Sequence, residues 1–202
     1  KHPRLEVALY EYGNDGISKW SGHIRQITPL TDDLDRVSSE LFKLRTNGGS
    51  EYCGMAIGTA IEGLDWSTRE ETLRLLYIAG NEPFTQGPIP FRTAIKAAKA
   101  KDVVVNTIYC GGAGHPEATS WIRGAELADG SFMSIDHNRR VVDVRTPYDE
   151  EIQSLGVALN STYVSFSKNG EKHKERQMKA DQQAARFRSG GVARARAIAV
   201  KM

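Results

Sequence analysis

The sequence predicts a three-layer α/β fold, in which a mostly parallel sheet carries helices on both faces. Two apolar runs, at 73–79 and 103–109, are near-continuous, as in parallel strands that are covered on both sides. A helical pattern at 91–101 lies between them and makes a strand–helix–strand unit, which should cross over with a right hand. Further strands and helices alternate along the chain, which is typical of layered α/β domains.

The amino-terminal part of the chain predicts a hairpin and a helix. The apolar run 5–10 has the length of a strand, and the Gly-Asn-Asp-Gly turn at 13–16 separates it from a short edge strand at 23–27. The segment 30–44 predicts an amphipathic helix with Thr31 as its N-cap. Its apolar residues recur at helical spacing, at Leu34, Val37, Leu41 and Leu44.

The remaining elements follow from the same patterns. Helices are predicted at 50–64, 120–127 and 147–160, a last strand at 130–135, and a polar, basic helical stretch from Gly170 onward. The glycines of the 50–64 helix lower its intrinsic helix propensity, so we expect it to pack closely against the sheet.

Charge is distributed unevenly along the 202 residues, although the net charge is only +2. Residues 168–202 contain ten Lys or Arg against three Asp or Glu, whereas the rest of the chain contains 17 against 22. A mildly acidic domain therefore precedes a basic tail, which is either a solvated helix or a contact for nucleic acid or another anionic surface. We predict a domain at 1–146 and a helical extension at 147–202.

Membrane and targeting signals are not evident in the sequence. No apolar run approaches the roughly 20 residues that a membrane-spanning helix needs. No signal peptide is visible either, but the chain opens at Lys1 without an initiator Met. We therefore expect an excerpt of a longer protein, for which a missing targeting segment carries no information.

Signatures of nucleotide binding, hydrolysis and zinc binding are absent from the sequence. Cys110, at a predicted strand end and followed by a Gly-rich loop and His115, is the best candidate nucleophile. It lacks an evident third catalytic group, so a buried thiol is the simpler interpretation and we expect no enzymatic activity. Cys53 and Cys110 could form one bridge, but two free thiols are favoured.

Four loop sequences resemble those of the bacterial von Willebrand factor type A (VWA) family. They are LTDDL at 30–34, NGGSEY at 47–52, IAGNEPF at 78–84 and GAELADGS at 124–131. With the order of the elements, these loops make residues 5–136 similar to a VWA domain, and the segment to Phe166 more loosely so. The resemblance implies a binding module in an extracytoplasmic or secreted setting.

The resemblance also implies a central first strand that ends in an Asp-x-Ser-x-Ser loop, and this sequence has none. In the family that strand pairs between the segments predicted here at 5–10 and 73–79. We therefore interpret the chain as amino-terminally truncated, with two sheet edges that lack hydrogen-bond partners. We predict that the chain made alone folds poorly or aggregates.

A metal-ion-dependent adhesion site is the third implication of the resemblance. Such a site binds a hard cation such as Mg²⁺ through oxygen ligands. Ser50 matches the family's Thr in the second loop, but Ala79 or Gly80 replaces the Asp of the third loop. The metal residues predicted for the complete domain are therefore Ser50, Asn81 and Glu82, in a degenerate site. The structural alternatives are a helix N-cap at Ser50 and a strand-end turn at Asn81-Glu82-Pro83.

The predicted function is recognition of a protein or another ligand by the loops at the carboxyl ends of the strands. The loop from Asn81 to Pro90 is stiffened by Pro and Gly. Its Phe84 either anchors a partner or packs down on the sheet. The predicted partner-binding residues are Glu51, Tyr52, Pro83, Phe84 and Gln86. The alternatives are a metal-independent scaffold domain and a cysteine-dependent enzyme that uses Cys110.

Overall fold

The computed structural model describes residues 4–45, 47–136, 146–166 and 169–186, so residues 187–202 of the predicted basic tail lie outside it. The strands are β1 (Val7–Tyr12), β2 (Ile24–Thr31), β3 (Arg74–Gly80), β4 (Val103–Tyr109) and β5 (Phe132–Ser134). The helices are α1 (Leu34–Leu41), α2 (Cys53–Gly63), α3 (Phe91–Ala100), α4 (Ala118–Leu127), α5 (Asp149–Ser161) and α6 (Gly170–Arg186). None of the helices in these ranges is both long and apolar enough to cross a membrane.

The strands form two sheets. β1 and β2 are neighbours in one sheet, and β3, β4 and β5 lie in that order in the other. Both pairs of the second sheet are parallel, with Arg74 opposite Val103 and Thr107 opposite Phe132. The predicted α/β fold is therefore confirmed. Within the described ranges no ladder joins β1 to β3, the two strands that the family resemblance placed on either side of an absent strand.

One side chain spans the break between the two sheets. The Tyr12 hydroxyl, at the end of β1, donates a 2.7 Å hydrogen bond to the Ala79 carbonyl of β3. The next carbonyl, that of Gly80, accepts from the Cys110 N–H on the β4 side at 2.7 Å. Because neighbouring carbonyls of a strand point to opposite edges, the Ala79 carbonyl faces β1. Tyr12 thus satisfies a backbone acceptor at an otherwise unpaired edge.

Helix α3 contacts both α2 and α4, and these three helices pack against the parallel sheet. Large side chains from both layers are fully buried there, including Ile57, Ile61, Val103, Val105 and Trp121. The alternate residues of the strands point the other way, and Leu75, Tyr77 and Met133 among them are exposed. The burial pattern of β3 therefore has the period of two that the pleat dictates.

Phe84 lies at the centre of an aromatic cluster in this core. Its side chain is 0% exposed and makes T-shaped contacts with Phe91 and Trp121, at centroid distances of 5.2 and 4.8 Å. Helix α4 fits over the ring because residue 124 is Gly, since a Cβ there would lie 2.6 Å from Phe84 Cε1. The prediction that Phe84 anchors a partner is therefore wrong, and the alternative, packing onto the sheet, is correct.

Helix α1 is shorter than the predicted helix at 30–44. Its N-cap is Asp33, whose carboxylate accepts from the Arg36 N–H at 3.0 Å, so the predicted cap at Thr31 is wrong. Thr31 instead ends β2, and its hydroxyl accepts from the Asp33 N–H at 3.1 Å. The helix starts late because the strand continues through Pro29, which an edge strand tolerates.

The chain divides into two compact units. One holds the parallel sheet, helices α2 to α4 and most of β1 and β2. The other holds α1, α5 and α6, in which Arg176 pairs with Asp33 at 2.7 Å and Asn160 donates to Asp181 at 2.6 Å. α1 thus groups with helices that follow it by more than a hundred residues in sequence. The domain boundary at 146/147 stays a prediction.

The close packing at residue 124 predicts an asymmetry between two glycines. Gly124→Ala should destabilise the fold by about 1–3 kcal/mol, because the added methyl group overpacks a buried ring. Gly58→Ala in α2 is the matched control, since a Cβ there meets nothing within 4 Å. It should be neutral or stabilising by up to about 1 kcal/mol, as Ala is the better helix former. Urea unfolding followed by circular dichroism measures both, and a Gly124→Ala variant as stable as wild type would contradict the packing.

Candidate functional site

Three loops meet where β1 and β3 end. They are 13–23, between β1 and β2, 47–52, which leads into α2, and 81–90, which follows β3. The Asp15 N–H donates to the Asn47 carbonyl at 2.8 Å, and Gln86 Nε2 donates to the Gly49 carbonyl at 2.9 Å. We call the exposed residues of these loops the loop surface. The loop surface lies at the carboxyl ends of β1 and β3, where the sequence predicts the recognition loops.

Glu51 connects two of these loops through its carboxylate. Its Oε2 accepts from the backbone N–H groups of Asn81 and Glu82, at 3.0 and 3.2 Å. The same oxygen occupies the space that a Cβ at Gly80 would need. The Glu51 carboxylate therefore fills the volume that a side chain at residue 80 would take. Sequence reasoning missed this role, because it depends on a contact across 30 residues.

The carboxylate of Glu51 lies in an environment that favours its protonated form. Burial raises its pKa, the two backbone N–H groups oppose this, and the nearby charge of Glu82 raises it further. Among the residues that the structure describes, no Lys, Arg or His forms an ion pair with either carboxylate. The backbone amides are thus the groups that stabilise the charge of Glu51.

The loop 81–90 is also fixed from the side of the core. Trp121 Nε1 donates to the Glu82 carbonyl at 2.9 Å, and the Phe84 N–H donates to Ser120 Oγ at 3.1 Å. A turn follows, in which the Gln86 N–H bonds to the Pro83 carbonyl at 2.9 Å. The loop therefore has a defined backbone. Its outward-facing residues are Asn81, Thr85, Gly87, Pro88, Ile89 and Pro90.

The three predicted metal residues lie on adjoining loops. Ser50 is half-buried and is not a helix N-cap, because α2 begins at Cys53 after Tyr52. Asn81 Nδ2 donates to Glu82 Oε1 at 3.5 Å. The described part of the chain contains no group of three His, Cys, Asp or Glu side chains that could hold a metal ion. Ser and Asn oxygens are not among these groups, so the role of these residues as metal ligands in a complete domain stays a prediction.

Both cysteines are free thiols, with Cys53 buried and Cys110 half-buried. Burial raises the pKa of Cys53 to about 12, and burial followed by the charge of Glu51 raises the pKa of Cys110. The His115 ring contacts the Tyr109 hydroxyl at 3.0 Å and the Glu117 carboxylate. No hydrogen bond between His115 and Cys110 is found in the described ranges. The geometry therefore gives no support to a Cys110 nucleophile.

A further surface residue went unnoticed in the sequence. Trp20, in the loop 13–23, is 87% exposed. The signal that could have found it is the sequence Ser18-Lys-Trp-Ser-Gly22, in which Ser and Gly favour a tight turn and leave the aromatic ring outside.

No family model and no curated protein matches the chain. It is similar to the solved VWA domain of SpRpn10, at 16% identity and a TM-score of 0.47, over 67% of each chain. An aerotolerance-related membrane protein from Bacteroides fragilis is 15% identical with a TM-score of 0.44, over 65% of this chain and 72% of that one. An uncharacterised membrane-spanning protein from Vibrio fischeri is 17% identical with a TM-score of 0.29, over 76% and 75%.

These similarities assign no function, ligand or partner to the chain. The α/β fold predicted from the sequence is confirmed by the parallel β3–β4–β5 sheet with its helices.

The environment of Glu51 predicts a pH-dependent effect of Glu51→Gln. The folded state binds the Glu51 proton more tightly than the unfolded state does, because the pKa of Glu51 is raised in the folded chain. The stability of the wild type therefore falls as pH rises from about 4.5 through the folded-state pKa of Glu51. Gln keeps an oxygen that can accept both backbone bonds and has no charge to bury. The stability of Glu51→Gln relative to wild type should therefore increase from pH 4 to pH 8.

Thermal unfolding across this pH range measures the effect, with Glu62→Gln at an exposed position of α2 as the control for removing a charge. A difference between Glu51→Gln and wild type that stays constant with pH, or that shrinks as pH rises, would contradict the assigned environment.

Proposed function

We propose that the loop surface is a protein-recognition site and that the chain acts as a binding module, not as a catalyst. The observation that supports this most is the double fixation of the loop 81–90, by the Glu51 carboxylate at its start and by the buried Phe84 ring beneath it. A loop that is ordered before binding loses less conformational entropy when a partner docks. The family resemblance of the loop sequences points to the same kind of function.

The predicted partner-binding residues divide into framework and contact positions. Glu51 and Gln86 hold neighbouring loops through hydrogen bonds. Tyr52 is half-buried and leaves no room for a side chain at Gly87, since a Cβ there would lie 2.7 Å from Tyr52 Cγ. These residues therefore shape the surface. The residues that contact the partner directly are their exposed neighbours, chiefly Thr85, Pro88 and Ile89.

The exposed part of this loop is uncharged and rich in Pro. From Pro83 to Pro90 the sequence contains no Asp, Glu, Lys or Arg. Ile89 is 37% exposed beside two prolines, which gives a small apolar patch on a stiff backbone. Charged residues are depleted from the cores of protein interfaces, so this composition suits the centre of an interface.

The test is a selection of peptides from a random library displayed on phage, with the immobilised chain as bait. Peptides that bind should lose affinity by about tenfold or more for Ile89→Asp, because a charge then has to enter the apolar contact. Leu73→Asp is the matched control, at a position that is 75% exposed and lies immediately before β3, at the end of that strand opposite to the loop 81–90. Selected peptides that bind Ile89→Asp and wild type equally, or a selection that yields no binder, would contradict the proposal.

A further inference from the structure

Trp20 is the most exposed large hydrophobic residue in the described part of the chain, at 87%. The other two tryptophans have partners, since Trp121 is fully buried and Trp66 Nε1 donates to the Ala60 carbonyl at 3.1 Å. An isolated exposed aliphatic residue is ordinary, but a Trp side chain is one of the largest apolar surfaces that a protein can leave in water.

The loop that carries Trp20 is tightly folded. The Ser18 carbonyl accepts from Ser21 N–H, His23 N–H and Ser21 Oγ, at 3.1, 3.1 and 2.8 Å. Gly22 and His23 adopt left-handed φ angles of 67° and 58°, which close the turn. The Gly22 N–H bonds to the Lys19 carbonyl at 3.0 Å. Because the backbone is bonded internally, the exposed Trp20 side chain is carried by an ordered turn.

The loop is also joined to the rest of the loop surface within the same compact unit. The His23 and Tyr52 rings meet edge to face at 6.0 Å. Gly22 lies against Met55 of α2 so closely that a Cβ there would clash with the thioether sulfur. A partner that docks on the loop 81–90 can therefore reach the loop 13–23 as part of one continuous surface.

We propose that Trp20 is the anchor of the loop surface and inserts into an apolar pocket of a protein partner whose rim carries carboxylates. The inference rests on the proposed recognition function and names the chemistry of the partner. Trp is among the residues that most often carry the binding energy of protein interfaces. Lys19 supplies the charge complementarity, because its ammonium group lies 5.5 Å from the ring centroid and stays beside the ring at the edge of the pocket.

The neighbours of Trp20 favour a protein over a bilayer. Ser18 and Ser21 flank the Lys19–Trp20 pair, and both are exposed and polar. A helix or loop that lies in a membrane interface presents a broad apolar face, whereas here a single ring projects from a polar turn. A single aromatic ring surrounded by polar residues is suited to insertion into a pocket of a partner.

The test uses the same phage-displayed peptide library with variants of the whole chain. Binding of the selected peptides should weaken roughly thirtyfold or more for Trp20→Ala, and Trp20→Phe should retain part of it. Lys19→Glu should weaken binding several-fold and remove the Asp and Glu enrichment from the selected sequences. Tyr148→Ala is the control, since it removes another exposed aromatic ring, at 66%, from the other compact unit.

The variants also need a folding control. Trp20→Ala should keep the wild-type melting temperature, because the side chain it removes is almost wholly in solvent. The fluorescence of Trp20 should shift to the blue when a selected peptide binds, and Trp20→Phe should abolish that shift.

The outcomes separate this inference from the proposed function. Peptides that are sensitive to Ile89→Asp but not to Trp20→Ala would overturn the Trp20 anchor and leave the recognition surface intact. A selection that yields no peptide, or peptides that are sensitive to neither variant, would overturn both. Trp20-dependent binding to a glycan array, without Trp20-dependent peptides, would overturn the protein partner in favour of a carbohydrate.

Discussion

The contact between the Glu51 carboxylate and the backbone of Asn81 and Glu82 is the constraint on which the rest of the site depends. It joins the segment 47–52, before α2, to the loop 81–90, after β3. These two segments are about 30 residues apart in sequence. The contact is possible because residue 80 has no side chain, so the carboxylate can enter the space above the strand end. Without it, the loop 81–90 would be held from the core side and by the hydrogen bond between Gln86 and the Gly49 carbonyl.

On the core side, Phe84 and Trp121 complete the fixation. The ring of Phe84 enters the core under α4, and the indole of Trp121 bonds to the carbonyl of Glu82. Because Phe84, the largest apolar side chain of this loop, is buried in the core, the loop can contact a partner only through its smaller side chains and its backbone. The surface therefore combines a rigid loop, uncharged from Pro83 to Pro90, with one large exposed side chain, Trp20, on its neighbour.

Local sequence patterns predicted the elements but not the contacts between them. The strand at 103–109 was predicted at its observed bounds, because its near-continuous apolar run stands between clear turn signals. The sequence predicts the edge strand at 23–27, whereas β2 ends four residues later, at Thr31. The burial of Phe84 depends on Gly124, and the role of Glu51 depends on Gly80. Each is a pair that periodicity cannot connect, so the sequence could predict which loops follow the strand ends but not which of their residues support the loops and which face outward.

Amide hydrogen exchange, resolved by NMR, tests the central contact most directly. The account predicts that the Asn81 and Glu82 amides exchange at least about tenfold more slowly than unbonded loop amides, because both are bonded to a half-buried carboxylate. In Glu51→Ala this protection should be lost, while the Phe84 amide, which bonds to Ser120, keeps its own. Exchange of Asn81 and Glu82 at the rate of an open loop in the wild-type chain, or unchanged protection in Glu51→Ala, would contradict it.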